Sequence, residues 1–242
     1  MNEIQFIDLK AQYDLMREDI NTKIQQVLDH GQYIMGPEVS LLEHKLANYV
    51  GVDYCVSCSS GTDALLMALM AYEVGPGDAV FTTPFTFVAT AEVISLLGAT
   101  PVFVDIDEHT YNISPELLDE EIQSVIDKKS LNPKIIIPVD LFGLPADYNK
   151  LKNIAVKYDL QILEDAAQGF GGGIGNQKAC SFGDISTTSF FPAKPLGCYG
   201  DGGAIFTNDS ILKEKMESIR VHGKGSDKYN NIRIGINGRL DS

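Results

Sequence analysis

The chain has 242 residues, of which 44% are hydrophobic, and a formal net charge of −14 at pH 7. A chain of this length can bury the core of one large domain, and its negative charge argues against non-specific binding to nucleic acid or anionic membranes. It has neither a long apolar run nor a basic N-terminal segment followed by an apolar one, so we expect a cytoplasmic protein without membrane contact.

Two helices are predicted near the N-terminus. Apolar residues recur at helical spacing over residues 10–29, and Gly31 follows as a stop. The second helix is predicted to begin at Pro37 and to run to about Tyr49, because proline favours the first helical turn and Gly51 favours the end of a helix.

From residue 54 onward, short apolar runs alternate with helical patterns. Strands are predicted at residues 54–58, 79–83, 101–104, 135–139, 161–163, 185–190 and 204–207, and helices at 62–72, 90–97, 115–127 and 147–158. Most of these strands are apolar throughout, as strands buried on both faces are. The pattern predicts an α/β fold in which helices cover both faces of a mostly parallel sheet. We predict one domain over residues 1–242, with a helical segment over about 1–50.

Several polar segments follow predicted strands, where open α/β sheets bind their ligands. The first is Ser59-Ser60-Gly61-Thr62-Asp63, a strand end that passes through glycine into a helix. Free amides at a helix N-terminus suit a phosphate, and Thr62 offers a hydroxyl donor. Many turns of this kind bind nothing, so the segment alone is a weak signal.

Two further strand ends carry an aromatic residue and a pair of carboxylates. Phe87 follows the second strand and offers either a face for a flat ring or a simple core residue. Glu164 and Asp165 end an apolar strand. A buried carboxylate there needs a cationic or hydrogen-bonding partner, such as a protonated pyridine nitrogen; the alternative is a helix N-cap aspartate.

Lys194 is a lone lysine among apolar and small residues, just after a predicted strand. Desolvation lowers the pKa of such an amine and makes it a nucleophile. Lysines of this kind form Schiff bases with carbonyl compounds and with pyridoxal phosphate (PLP). Taken by itself, the segment fits equally a lysine at a strand end whose charged head reaches solvent.

Basic residues and cysteines complete the candidate groups. The C-terminal part of the chain concentrates Lys213, Lys215, Arg220, Lys224, Lys228, Arg233 and Arg239, which form either an anion site or a solvated face. Cys55, Cys58, Cys180 and Cys198 lack the spacing of a zinc site and are interpreted as core thiols, so no metal is predicted.

In this order, the motifs resemble those of the DegT/DnrJ/EryC1/StrS sugar aminotransferases, which are fold-type I PLP enzymes. The matching segments are Gly36-Pro37-Glu38, Ser60-Gly61-Thr62-Asp63-Ala64-Leu65, Thr86-Phe87-Val88-Ala89-Thr90, Glu164-Asp165-Ala166-Ala167-Gln168, Ser189-Phe190-Phe191 with Lys194, and Gly235, Asn237 and Arg239. Residues 6–10 and 194–204 carry a finer likeness to aminotransferases of 3-oxo UDP-N-acetylhexuronic acids.

The resemblance implies a role for each matching residue. Lys194 would hold PLP covalently and carry the proton, and Asp165 would pair with the pyridine nitrogen. Gln168 would bind near the ring hydroxyl, and Phe87 would stack on the ring. The phosphate group of PLP would be bound by Gly61, Thr62 and Ser189. Asn237 from a neighbouring subunit would also contact it.

The resemblance also implies a function and partners. The reaction would transfer an amino group from L-glutamate to a keto nucleotide-sugar, for cell-surface polysaccharides such as O-antigen, in a homodimer with shared active sites. The UDP-sugar would contact Arg239, with Arg220 and His222 as further candidates. Family members continue beyond this motif into a small C-terminal domain, which we expect this chain to lack. The alternatives are a catalytically weak or silent PLP-binding or dimerising protein, and a PLP sugar dehydratase, in which histidine typically replaces the lysine.

Overall fold

In the computed structural model, which describes residue 4 and residues 7–227 and 229–242, a central sheet carries the fold. Phe6 and Lys228, which belong to two of the sequence features above, lie outside the described residues. The strands of the described part are β1 Tyr54–Cys58, β2 Asp78–Thr82, β3 Thr100–Phe103, β4 Asn132–Ile137, β5 Gln161–Asp165, β6 Gly173–Ile174, β7 Gln177–Lys178, β8 Ile185–Ser189 and β9 Gly203–Thr207.

Seven of these strands form one sheet in the order β1-β9-β8-β5-β4-β2-β3. The pairs β8–β5, β5–β4, β4–β2 and β2–β3 are parallel, whereas β9 runs antiparallel to both of its neighbours, β1 and β8. The prediction of a mostly parallel sheet is confirmed, and every predicted strand is present. The short hairpin β6–β7 was not predicted, because strands of two residues leave no periodic pattern.

Helices cover both faces of the sheet, as predicted. They are α1 Leu9–His30, α2 Pro37–Val50, α3 Gly61–Ala71, α4 Ala89–Leu96, α5 Pro115–Lys128, α6 Tyr148–Tyr158 and α7 Ser210–Arg220. One face packs with α3, α4 and α7, and the other packs with α5 and α6 and, at its β1–β9 end, with α2. The arrangement leaves the carboxyl ends of the parallel strands open for a site.

The predicted helix ends coincide with their physical signals. Gly31 and Gly51 both adopt the left-handed conformation at the C-caps of α1 and α2, and Pro37 opens α2. Sequence analysis missed α7, whose N-cap Asp209 accepts the amides of Ile211 at 2.7 Å and Leu212 at 3.1 Å. That cap was the available signal.

Apolar residues of α1 remain uncovered by the part of the chain that the structure describes. The helix buries no residue, and the side chains of Leu15, Ile24 and Leu28 are 88%, 53% and 54% exposed. A helix that buries no residue and exposes large apolar side chains has surface available for contact with another molecule.

The remaining predictions concern membranes and thiols. No helix among the described residues is long and apolar enough to span a membrane. Cys55, Cys58 and Cys180 are buried free thiols, as predicted, whereas Cys198 is only half-buried.

Candidate active site

The segments that follow β1, β2, β5 and β8 meet around a cavity of about 420 Å³. They meet there because these strands are parallel and their carboxyl ends share one edge of the sheet. Predicted site residues that line the cavity are Gly61, Thr62, Phe87, Asp165, Gln168, Ser189 and Lys194.

One end of the cavity is the N-terminus of α3. Ser60 caps the helix by accepting the Asp63 amide at 3.0 Å, and Gly61 and Thr62 are the first helical residues. The first amides of a helix have no acceptor within it, so they are available to an anion. A β-carbon at Gly61 would lie 2.6 Å from the Ser189 β-carbon. Glycine is therefore needed to bring the helix end and the end of β8 together.

Lys194 is half-buried in the segment after β8, and its Nζ donates to Gln168 Oε1 at 3.0 Å. Desolvation lowers the pKa of the Lys194 amine, and the nearby Asp165 carboxylate acts in the opposite direction. Burial thus brings the Lys194 amine closer to its unprotonated, nucleophilic form than an exposed lysine is.

Asp165 ends β5 and is only 5% exposed. Its carboxylate accepts the Thr90 hydroxyl at 2.8 Å and the Ala167 amide at 3.2 Å. Burial raises the pKa of Asp165, and these two donors partly lower it. The helix N-cap alternative is not realised, because the chain continues from Asp165 into turns at residues 167–171.

Thr90 is the site residue for which the sequence analysis proposed no role. It is 1% exposed and links Asp165 to Thr86, whose hydroxyl lies 2.9 Å from its own. Thr86 and Thr90 are four residues apart at the start of α4, and this spacing was the signal that could have identified them as a pair. Phe87, between them in sequence, is 69% exposed at the cavity.

Comparison with known proteins decides the family. The model of the DegT/DnrJ/EryC1/StrS aminotransferase family matches residues 14–242. The chain belongs to that family. The UDP-2-acetamido-2-deoxy-3-oxo-D-glucuronate aminotransferase of Pseudomonas aeruginosa is 52% identical over 239 residues, which are 99% of this chain and 64% of that protein.

Solved structures of DegT/DnrJ/EryC1/StrS relatives have the same fold. An aminotransferase of the family from Brucella abortus matches with a TM-score of 0.97 and 53% identity, over 99% of this chain and 64% of that one. NtdA from Bacillus subtilis, solved with the cofactor PMP bound, matches with a TM-score of 0.89 and 30% identity, over 100% of this chain and 54% of that one. The chain thus spans less than two thirds of the length of each.

The other predicted residues of this family member lie outside the cavity. Asn237 and His222 are exposed, and Arg239 is half-buried. Their segment still adjoins the site, since the Gly238 carbonyl accepts the amide of Ser59 at 3.0 Å, just before the start of α3. Asn237 is therefore exposed beside the end of the cavity that the N-terminus of α3 forms.

The predicted substrate contact of Arg220 is corrected by the structure. Arg220 is 4% exposed, and its Nη1 donates to Glu43 at 2.6 Å and to the Ser57 carbonyl at 2.8 Å. Its charge is used inside the protein, where it ties α7 to α2 and β1, because a buried guanidinium needs a carboxylate partner. Sequence spacing alone could not separate this arginine from the others.

Proposed function

We propose that this chain carries the active site of a PLP-dependent aminotransferase that acts on a keto nucleotide-sugar. The observation that supports this most strongly is a single cavity lined by a half-buried lysine, a buried carboxylate and a helix N-terminus. Two alternatives were left open by the sequence: a strand-end lysine that reaches solvent, and an aspartate that caps a helix. Neither explains why the lysine, the carboxylate and the helix N-terminus meet at one cavity.

The residues present fit PLP. Gly61, Thr62 and Ser189 offer amide and hydroxyl donors for its phosphate, at the positive end of α3. The buried carboxylate of Asp165 has two neutral donors and would gain a cationic partner in the protonated pyridine nitrogen. When bound, PLP supplies an electron-poor ring that stabilises negative charge at an amino acid α-carbon.

The chain's own residues would hold this ring and move one proton. Thr90 fixes the Asp165 carboxylate, and Phe87 offers its ring face at the cavity. Lys194 would take the proton from the substrate α-carbon as general base and would deliver it to the cofactor carbon C4′ as general acid. Gln168 accepts a hydrogen bond from the Lys194 amine and so sets its direction.

The substrates are inferred from similarity. The Pseudomonas relative, named for a 3-oxo UDP-N-acetylhexuronate, supports such a sugar as the amino acceptor. L-Glutamate is proposed as the amino donor on the family resemblance alone. A cytoplasmic role in making cell-surface polysaccharide, O-antigen included, is consistent with that name. A PLP sugar dehydratase is disfavoured, because Lys194 occupies the cavity.

The absorbance of the purified chain with PLP tests this proposal. A yellow protein that loses its visible band on addition of L-glutamate, and recovers it with the keto sugar, completes both half-reactions. A yellow protein whose visible band does not change with glutamate binds PLP without catalysing the reaction. A colourless protein that takes up no PLP contradicts the proposal of a PLP-dependent enzyme.

We further propose a homodimer in which each subunit completes the other's site. Asn237 is exposed beside the phosphate end of the cavity, and the apolar side chains of α1 are uncovered within one chain. Mixing Lys194→Ala and Asn237→Ala chains is expected to restore activity, because one site of the hybrid keeps both residues. Each variant alone is the control, and native mass spectrometry verifies the hybrid. A verified hybrid without activity would count against sharing.

Arg239 is the remaining arginine proposed to bind the anionic nucleotide-sugar, with His222 beside its segment. Arg239→Ala is expected to weaken UDP-sugar binding by about 1.5–3 kcal/mol, the usual loss for a charged hydrogen bond. Calorimetry measures the affinity, with PLP content checked in parallel. Arg233→Ala is the matched control, since Arg233 lies near Glu73. Equal affinities for both variants and the unmutated chain would show that Arg239 belongs to a solvated face.

A further inference from the structure

Two carboxyl groups lie behind the cavity without lining it. Asp140 follows β4 and Glu164 precedes Asp165 on β5, and both are 0% exposed. Buried carboxyl groups persist only where donors or protons compensate them, so each oxygen of this pair requires a partner.

Glu164 has the partners of an ionised carboxylate. It accepts the amides of Cys180 at 2.6 Å, Phe182 at 2.8 Å and Gly183 at 3.2 Å, together with the Ser186 hydroxyl at 2.7 Å. Burial raises the pKa of Glu164, and the four donors around its carboxylate oppose that rise by stabilising its charge. Glu164 thereby fixes the segment between β7 and β8.

Asp140 is satisfied on one side only. Its Oδ1 accepts the Ala146 amide and the Tyr148 hydroxyl, both at 3.0 Å. Its Oδ2 is buried and has no donor among the described residues. That oxygen lies 3.0 Å from where a β-carbon at Gly169 would be, so the chain leaves room for it there.

We propose that Asp140 is protonated at neutral pH, that it donates this proton to the Glu164 carboxylate, and that the shared proton positions Asp165 for the cofactor. Tyr148, which donates to Asp140, stacks on Phe182, whose amide donates to Glu164, and the two carboxyl groups interact within this buried cluster. Two ionised carboxylates in contact away from water repel strongly, and one of them keeps a proton. Glu164 accepts four hydrogen bonds and Asp140 accepts two, so we assign the negative charge to Glu164 and the proton to Asp140.

The environment of the pair supports a neutral Asp140. The titratable groups around it are Glu164 and Asp165 on β5, Tyr148 at the start of α6 and Cys180 after β7. Burial raises the pKa of Tyr148 and of Cys180 well above their ordinary values, so both are neutral. Burial and the Glu164 charge raise the pKa of Asp140 in the same way.

Backbone hydrogen bonds connect the pair to the site. The Asp140 amide donates to the Asp165 carbonyl at 3.0 Å, and the Asp165 amide donates to Pro138 at 3.0 Å. A displaced Asp140 would therefore move the residue that faces the cavity. A neutral Asp140 also keeps a further negative charge away from Asp165. This link to the cofactor rests on the proposed function, whereas the shared proton does not.

Two isosteric variants distinguish the roles of the two carboxyl groups. In Asp140→Asn, the side-chain amide replaces the donated proton and its oxygen still accepts from Ala146 and Tyr148. In Glu164→Gln, the new N–H₂ group faces backbone amides that also donate. The first variant should therefore keep the network and the second should break it.

Thermal unfolding of the chain without PLP, from about pH 5 to pH 8, tests the proton. An acid whose pKa is raised on folding destabilises the protein progressively as pH rises above its unfolded value. The melting temperature of Asp140→Asn is therefore expected to rise relative to the unmutated chain with increasing pH. Glu164→Gln is expected to melt at least about 4 °C lower throughout, given the usual scaling for a chain of this length. Two results would overturn the shared proton. One is an equal fall of the melting temperature in both variants, and the other is a difference between Asp140→Asn and the unmutated chain that does not change with pH.

Infrared difference spectra give a second readout that needs no cofactor. The unmutated chain minus Asp140→Asn is expected to show the band of a protonated carboxyl group at pH 7, and its absence would contradict the assignment.

The positioning role is tested by PLP titration. Asp140→Ala is expected to weaken PLP binding by about tenfold or more, and Asp140→Asn is expected to restore it to within about twofold. If the proton is confirmed but both variants bind PLP like the unmutated chain, the pair does not position Asp165. If no chain binds PLP, unmutated included, it is the proposed function that fails, and the proton stands on the unfolding and infrared results.

Discussion

Lys194→Ala is expected to abolish transamination and the visible absorbance of bound PLP while leaving the fold intact. The side chain is half-buried at the cavity and contacts Gln168, so its removal takes away one hydrogen bond and little packing. The amine, in contrast, is both the covalent anchor and the proton carrier of the proposed reaction. Loss of general acid–base catalysis alone costs about 10²–10⁴-fold in rate.

Borohydride trapping tests the same prediction by identifying which lysine carries PLP. Borohydride reduces the imine between lysine and PLP to a stable amine, and peptide mass spectrometry should then place the label on Lys194. Lys152→Ala, an exposed lysine on α6, is the matched control and should retain colour, label and rate. A Lys194→Ala chain with full activity, or a label on another lysine, would refute the assignment.

Asp165→Asn is expected to have the second largest effect. Asparagine keeps the shape of the side chain: its Oδ1 can accept from Ala167 and its Nδ2 can donate to the Thr90 hydroxyl, so the charge is the main loss. Without a carboxylate beside it, the pyridine nitrogen loses the partner that favours its protonated form. PLP affinity and rate should both fall, the affinity by about tenfold or more, and Asp165→Glu should lose far less rate.

The same variant is expected to behave oppositely in the absence of PLP. Burial raises the pKa of Asp165, so its ionised form becomes an increasing cost to stability as pH rises above about 3.9, the unfolded value. Removing the charge should therefore raise the melting temperature of the PLP-free chain at pH 7 and lower that of the loaded chain. If Asp165→Asn and Asp165→Glu both transaminate at nearly the rate of the unmutated chain, Asp165 serves only to cap its turn.

The fold could be predicted from the sequence because its signals are local and repeated. Apolar strand runs and glycine or proline at helix ends each act within a few residues, and the observed bounds of α1 and α2 follow them closely. The motifs also identified the seven predicted residues that line the cavity, since parallel strands bring their carboxyl ends to one edge.

The parts that escaped prediction depend on contacts between distant segments. Arg220 was assigned to the substrate because a list of basic residues does not show that α7 packs its last turn against Glu43 and Ser57. Thr90, on α4, was missed because its partner Asp165 lies 75 residues away at the end of β5. The cross-subunit role of Asn237 remains a prediction.

The position of β9 has a consequence for when the site can form. Within the described chain, β1 joins the sheet only through β9, which is the last strand to be synthesised. In a growing chain that has not yet passed residue 207, β1 lacks its partner strand, and the start of α3 lies near Ser189 without the strand that joins β1 to β8. Contacts between segments so far apart in sequence form late. Binding of PLP would then await the synthesis of β9, and the bound cofactor would stabilise the junction between β1 and the rest of the sheet.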